Sequence, residues 1–442
     1  MDSIHIYLDR VLLCHMKQSI YNHFITLNGQ EFVFNSLTNQ FILVSKQIKE
    51  TLMGNETEQT ISEMLLDKGF FVNDDISERD LVQSLFFSRK HSNRIYNLII
   101  NTTLDCNLDC WYCYETHPAQ SYLSLSTVNT ILEHLKVKYS SEPFEVLRLS
   151  FFGGEPMLNF HAIKELLNGV NLHSEACGYK VFIAFVTNGT LLNERYAELL
   201  KPFNTRFQIT IDGDEENHNS IRIYKSKAHN EGSYKKILSG LRLFNNIEAK
   251  FYFTIRINFN NSILNSIENL MRDIDFLDRK KVLISLQQIW QYNITKKDYE
   301  DLFRSIEKIN QRGFVVDTFK LYPKFEACYA DNYNHAVINY DGKVFKCTAR
   351  DFTTTEPDGL LNSDGFIEWN INQVNSRLSA QTPQKCIECS LLPCCPGICT
   401  QKLIESTDIN NIKCPFDDSI SKETIILLNI KQKLISKKNE SN

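Results

Sequence analysis

Cys106, Cys110 and Cys113 stand in the stretch NTTLDCNLDCWYCYE, residues 101–115, as a CxxxCxxC array directly after a mostly apolar run from Ile95 to Ile100. Three thiolates this close can hold three corners of a [4Fe–4S] cubane and leave its fourth iron without a protein ligand. An open iron is where a substrate or cofactor can bind and chemistry can start. A structural zinc site would need four closed ligands and favours CxxC pairs. A disulfide reading leaves an odd cysteine over.

A second cysteine group begins at Cys328. Thirteen residues separate it from Gly342 and four more lead to Cys347; after a gap come Cys386-x2-Cys389-x5-Cys395-x3-Cys399, then Cys414. Cys394 falls off this spacing and reads as a spare. Cys14 and Cys177 lie outside both groups and read as buried small apolar residues. Between the groups, Gly153-Gly154-Glu155-Pro156 follows an apolar run in LSFFGGEPML. Two glycines let a backbone approach a ligand closely, and a carboxylate beside them can accept from an ammonium group. Polar residues also close later runs: Thr187-Asn188-Gly189, then Thr210-Ile211-Asp212-Gly213, with Arg222 ending IDGDEENHNSIR. A guanidinium fork suits a carboxylate. His218, in the same segment, reads as a solvated turn residue.

The elements that must position these residues form an alternation. Candidate strands are 95–102, 147–152, 181–186, 207–211, 250–257 and 282–289, with helical patterns between them. Val128, Ile131, Leu132 and Leu135 fall on one face of a helix, which Ser124 or Ser126 can cap. Alternating strands and helices imply parallel strands joined by right-handed crossovers. Ahead of them, about 20–75 reads as a small separate domain. Asn28-Gly29 between 23–27 and 30–34 signals a type I′ hairpin; helices follow at about 45–53 and 56–68, and a strand at 70–72. Residues 76–94 read as a helix plus linker. From about 316, short β-like pieces, turns and cysteines replace the rhythm, and 424–438 reads as an amphipathic helix.

Composition sets the bounds. The chain has 442 residues, 43% of them hydrophobic, enough for two or three domains, and a formal net charge of -5. That charge argues against a general nucleic-acid binder. No run of eighteen apolar residues suggests a membrane span, and the first residues lack the layout of a secretory signal. Of the thirteen cysteines all but Cys14 and Cys177 fall in the two groups, and cysteines so grouped read as metal ligands of a reducing cytoplasm rather than disulfides.

The CxxxCxxC array, with Trp111-Tyr112 inside it and Tyr114 after it, and GGEP about one strand downstream, resembles the radical S-adenosylmethionine (radical SAM) enzymes. The seven-cysteine layout resembles the SPASM extension of that family. The hairpin, helices and strand of 20–75 loosely resemble the leader-recognition domains of ribosomally made, post-translationally modified peptide pathways. Together these imply an α/β chain of three parts. Residues 1–94 would be a winged-helix-like recognition domain and linker, 95–315 a partial (β/α)6 TIM-like barrel, and 316–442 a Cys-rich SPASM domain with a terminal helix. The reactive end would be the C-terminal end of the barrel strands.

The resemblance also implies roles. Cys106, Cys110 and Cys113 would hold the first [4Fe–4S] cluster, and the amino and carboxylate groups of S-adenosylmethionine would chelate its open iron. Gly153, Gly154, Glu155 and Pro156 would contact the cofactor's amino group, Asn188, Thr210 and Asp212 its ribose or carboxylate, and Arg222 the carboxylate. Arg256 and Asn258, in FTIRINFN, resemble a further polar strand end that serves either a ligand or the barrel interior. Cys386, Cys389, Cys395 and Cys414 would close one auxiliary Fe–S cluster. Cys328, Cys347 and Cys399 would hold another, with an open iron or a non-cysteine ligand that a substrate thiolate could occupy.

The expected enzyme cleaves S-adenosylmethionine reductively to a 5′-deoxyadenosyl radical and takes hydrogen from a peptide, forming a thioether or carbon–carbon crosslink. Its partners would be a precursor peptide with a leader and a reductase such as flavodoxin or ferredoxin. One alternative is an anaerobic sulfatase-maturating enzyme that makes formylglycine, but Thr348 follows Cys347 where that family has an aspartate, and Asp351 is out of register. The other is a non-catalytic Fe–S electron carrier, in which GGEP and an open iron would have no purpose.

Overall fold

A computed structural model describes residues 16–27, 29–54, 58–226, 231–293, 295–317, 321, 328–395, 397–406, 414 and 420–441. The chain divides into two compact units. One comprises residues 1–91, 319–332 and 376–433, and the other residues 92–318, 333–375 and 434–442.

The larger unit is built on an eleven-stranded sheet. Six of its strands follow one another in sequence order: β1 (Ile95–Thr103), β2 (Val146–Gly153), β3 (Lys180–Thr187), β4 (Asn204–Thr210), β5 (Phe251–Phe259) and β6 (Val282–Gln288). All five neighbouring pairs are parallel. Parallel neighbours need long crossovers, and helices such as Leu125–Ser141, Phe160–Cys177, Ser233–Asn246 and Asn261–Asp273 provide them. Ser124 caps the first, accepting from the Thr127 N–H at 3.1 Å. The partial barrel is the one expected from the sequence, with strand ends within three residues of their expected positions.

Side-chain alternation sorts the strand residues into two sets. Phe151, Phe185, Phe207 and Phe253 pair in register and stack across four strands, with ring centroids 4.7, 5.6 and 5.9 Å apart. This ladder faces the helices, where Phe207 meets Phe244 edge-on at 5.3 Å. Phe152, Val186 and Gln208, each one residue past a ladder phenylalanine, and Arg256, three past Phe253, therefore face the other way, into the barrel cavity.

The sheet does not stop at the expected boundary near 315. Val315–Val316 pairs parallel beside β6, while His335–Ile338 pairs parallel to β1 and leads into the antiparallel strands Lys343–Phe345, Gly359–Leu361 and Ile367–Trp369. Without this addition β1 would leave a row of bare backbone groups. The cysteine-rich region is thus shared between the units, with Cys347 in the larger and the other six cysteines of that group in the smaller.

In the smaller unit, Asn22–Leu27 and Gln30–Asn35 form the expected hairpin, with Leu27 opposite Gln30 and Gly29 at φ 77°; Asn28 lies outside the described residues. A third strand, Gln40–Leu43, joins it. Helices Lys46–Leu52, Gln59–Asp67 and Glu78–Lys90 follow, and Phe71–Asn73 pairs with Met16–Gln18. Val33, Leu52, Leu65 and Phe70 form the core. The terminal helix runs Lys422–Ser441. None of the described helices is long and apolar enough to cross a membrane.

Two expectations about single residues fail. Cys177 is half-buried, its Sγ 3.5 Å from His173 Nε2, rather than a core residue; Cys14 lies outside the described residues. His218 is fully buried, not solvated. Its Nδ1 accepts from the Asp212 N–H at 3.2 Å and its Nε2 lies 3.0 Å from Ser233 Oγ.

Candidate active site

The CxxxCxxC loop leaves the C-terminal end of β1. Asp105 Oδ1 accepts from the Cys106 N–H (2.8 Å), and the Cys113 N–H donates to the Cys110 carbonyl (2.9 Å). Leu108–Cys110 pairs antiparallel with Arg222–Tyr224, setting Cys110 opposite Arg222. The three cysteines line one cavity of about 190 Å³ with Gly153, Gly154, Thr187, Asn188, Thr210, Arg222, Arg256 and Asn258 among its other walls. Burial pushes the Cys106 thiol up to about 12 and the Cys113 thiol up to about 11. Iron binding there would have to displace their protons. Three thiols spaced around a cavity fit a cubane with one open corner.

Glycine is required where β2 ends. Gly153 has φ +110°, and a Cβ there would lie 2.1 Å from the Thr103 carbonyl oxygen; one on Gly154 would lie 2.3 Å from that of Asp105. Side chains at either position would push the β2 end off the cluster loop.

The expected cofactor residues sort into two layers. Gly153, Gly154, Asn188, Thr210 and Arg222 line the cavity; Glu155, Pro156 and Asp212 do not. The Glu155 carboxylate is fully buried behind the glycines. It accepts from the N–H groups of Met157 (3.0 Å) and Asn188 (2.7 Å) and from the Thr187 hydroxyl (2.8 Å). Burial pushes its pKa up to about 7, against the pull of those donors. Its side chain holds the end of β3 in place. Asn188 in turn donates to Asn107 Oδ1 (2.8 Å), which ties β3 to the cluster loop. Asp212, equally buried, accepts from the Tyr112 hydroxyl and the Asn258 N–H (2.9 Å) and pairs with Arg222 at 3.4 Å. The Nε of Arg222 is buried and without a partner. An anionic ligand such as a cofactor carboxylate would complete it.

Sequence reasoning missed several cavity residues. His117 sets Nδ1 2.8 Å from the Leu104 carbonyl and Nε2 3.2 Å from Cys113 Sγ. Glu115 lines the cavity with one carboxylate oxygen buried and unpartnered; burial pushes its pKa up to about 8. Tyr114 and Trp290 stack at 5.1 Å. Trp290 stands two residues past the end of β6 and could have been found by that position.

In the smaller unit, the thiols of Cys414, Cys389 and Cys386 lie close enough to add to the upward shift of Cys395, which burial carries to about 12. These are the four residues expected to close one auxiliary cluster. The segments that carry Cys328 and Cys399 are linked through Asp331, the last residue of the turn that Cys328 caps. Its carboxylate accepts from Thr400 Oγ1 (2.6 Å), beside Cys399, and from buried Arg377 (3.2 Å). Cys394 is buried and donates its thiol to the Ser36 carbonyl at 2.6 Å. None of the described cysteines forms a disulfide. Asp331→Asn should lower the iron content of the reconstituted protein by roughly one cubane, about four of about twelve irons. Full iron content in this variant would show that Asp331 does not hold the Cys328–Cys399 site together.

Residues 100–274 match the Radical SAM superfamily. This part of the chain is a radical SAM domain, and the chain is an enzyme. The cysteine-type anaerobic sulfatase-maturating enzyme of Clostridium novyi is 24% identical over 366 residues, covering 74% of this chain and 96% of that enzyme. The radical SAM cyclopropyl synthase TigE of Paramaledivibacter caminithermalis is 21% identical over 430 residues, covering 88% and 84%. Among solved structures, anSMEcpe with bound AdoMet superimposes with a TM-score of 0.54 at 18% identity, over 78% of this chain and 99% of that one. Streptococcus suis SuiB bound to its precursor peptide SuiA gives 0.50 at 13%, over 89% and 97%. These likenesses show that the chain shares the fold of those structures.

Proposed function

We propose that the protein is a radical SAM/SPASM maturase of a ribosomally made peptide, forming a thioether or carbon–carbon crosslink. The observation that carries this reading is extent. The match to the cyclopropyl synthase takes in 88% of the chain, whereas the C. novyi sulfatase-maturating enzyme, aligned over nearly its whole length, leaves about a quarter of this chain over. The hairpin-and-helix element ahead of the barrel is what a leader-reading enzyme needs. A local contrast adds support. Thr348, which takes the place of the sulfatase-maturase aspartate, has its carbonyl bound by the Tyr114 hydroxyl at 3.0 Å. Asp351 does not line the cavity, and its carboxylate is already occupied by Thr116 (2.6 Å) and Thr353 (2.7 Å).

Cys106, Cys110 and Cys113 would hold the cluster, and Arg222, Asn188, Thr210 and the Gly153–Gly154 backbone the cofactor. When bound, the reduced cluster and S-adenosylmethionine supply a 5′-deoxyadenosyl radical that takes a hydrogen atom from the substrate. The chain's own part is to orient. Glu155 fixes the β3 end, and Asp212 aligns Tyr112, Asn258 and Arg222. The SPASM cysteines would hold two auxiliary clusters, and a flavodoxin or ferredoxin would supply electrons.

The leader would add a strand to the exposed edge of the three-stranded sheet. Phe24 and Leu43, on its two outer strands, are each about half exposed. Deleting residues 16–75 should lower peptide modification at least tenfold while S-adenosylmethionine cleavage without peptide continues. Equal peptide turnover by a folded truncation would remove the leader-binding role.

A further inference from the structure

The barrel cavity holds two arginines in unlike circumstances. Arg222 is paired with Asp212 and stands in register with Cys110, at the cluster loop itself. Arg256, on β5, has no carboxylate partner among the described residues. Its Nε donates to Asn258 Oδ1 at 2.9 Å. Asn258 is itself fixed, donating its backbone N–H to Asp212 (2.9 Å) and its side-chain amide to the Tyr112 hydroxyl (2.9 Å). The guanidinium is thus held from behind, and its two terminal nitrogens are left for the cavity. That pair meets a carboxylate bidentately. Burial works against the charge and lowers the Arg256 pKa from the ordinary arginine range, although Tyr112, Tyr114 and Asp212 oppose this. A desolvated cation without a counter-charge is costly unless a ligand supplies one. Beside it, Tyr114 and Trp290 give the same cavity a stacked aromatic wall, with Trp290 65% exposed at the mouth. Such rings suit the backbone or the aliphatic stem of a side chain.

We propose that Arg256 is a substrate-binding residue that receives a carboxylate of the substrate, carried by an acidic side chain of the peptide segment that enters past Trp290 and Tyr114. The peptide identity of the substrate rests on the function proposed above; the anion subsite does not. The cofactor also carries a carboxylate. Arg222, with its unpartnered Nε at the cluster loop, is placed for that one.

The test uses the full chain, anaerobically reconstituted and saturated with S-adenosylmethionine. Three probes are titrated by saturation-transfer NMR: N-acetyl-glutamate N-methylamide, its glutamine counterpart, and glutarate. The glutamate probe should bind about tenfold more tightly than the glutamine probe, as one charge-assisted pair requires. Arg256→Gln should abolish that preference. Arg256→Lys should restore part of it, since an ammonium keeps the charge but not the fork. A preference that survives Arg256→Gln overturns the proposal. So does a tenfold loss of S-adenosylmethionine affinity in Arg256→Gln with the probe preference intact, which would assign Arg256 to the cofactor. If glutarate binds in an Arg256-dependent way while neither peptide-like probe binds, the anion subsite stands and the peptide reading falls.

Discussion

Replacing Cys106, Cys110 and Cys113 together with alanine is expected to abolish 5′-deoxyadenosine formation while leaving roughly eight of about twelve irons in place. The three thiols line one cavity, and each would supply one corner of the cluster that opens S-adenosylmethionine. The auxiliary cysteines lie after residue 327 and are held by their own contacts, such as the Asp331–Thr400 hydrogen bond beside Cys328 and Cys399. The loop should keep its shape, because its backbone is tied by the Leu108–Cys110 pairing to Arg222–Tyr224 and by Asp105. Product analysis after dithionite reduction, with iron counted in parallel, reads both halves of the expectation. Continued 5′-deoxyadenosine formation would place the cofactor-cleaving cluster elsewhere.

Asp212→Ala is expected to destabilise the protein by about 3–5 kcal/mol, the cost of leaving a buried ion without its partner. Asp212 is fully buried and Arg222 nearly so, with 3.4 Å between them. The same carboxylate positions Tyr112 and the Asn258 N–H. Its loss should therefore also weaken S-adenosylmethionine binding, through misplacement of Arg222. Asp212→Asn keeps an acceptor for the Asn258 N–H and should cost less than the alanine variant. Urea unfolding of the cluster-free protein measures the first effect and equilibrium dialysis of labelled cofactor the second. An unfolding midpoint equal to that of the unaltered protein would mean that the pair carries no such load.

Much of this architecture was legible in the sequence because its signals are local. The six barrel strands are runs of β-branched and aromatic residues bounded by polar ends, and the CxxxCxxC and GGEP segments fall at two of those ends. Asn28-Gly29 marked the hairpin, and Ser124 the helix it caps. What was not legible depends on distant partners. Gln40–Leu43 and the strands between 335 and 369 have three or four residues each, too few to show a period; pairing makes them strands, with distant β1 for His335–Ile338 and with nearby antiparallel neighbours for the others. His218 sits in a polar run that reads as solvated, but Asp212 and Ser233 close over it. Glu155 and Asp212 stand just past the strand ends where the sequence puts them, but neither lines the cavity. Their side chains turn behind the cavity wall because nearby N–H and hydroxyl donors take up their carboxylates. Sequence alone does not give that direction. Tyr112 was noted only as part of a pattern, yet it joins Asp212, Arg222 and Asn258.

The central claim is tested most directly by mass spectrometry of a candidate precursor peptide, incubated with the reduced, reconstituted enzyme and S-adenosylmethionine. The account predicts a product that has lost hydrogen atoms while keeping every heavy atom. Its fragmentation should be blocked between the two linked residues, it should carry no aldehyde, and it should form in step with 5′-deoxyadenosine. A product that reacts with a hydrazine, as formylglycine does, or an unaltered peptide despite continued cofactor cleavage, would contradict it.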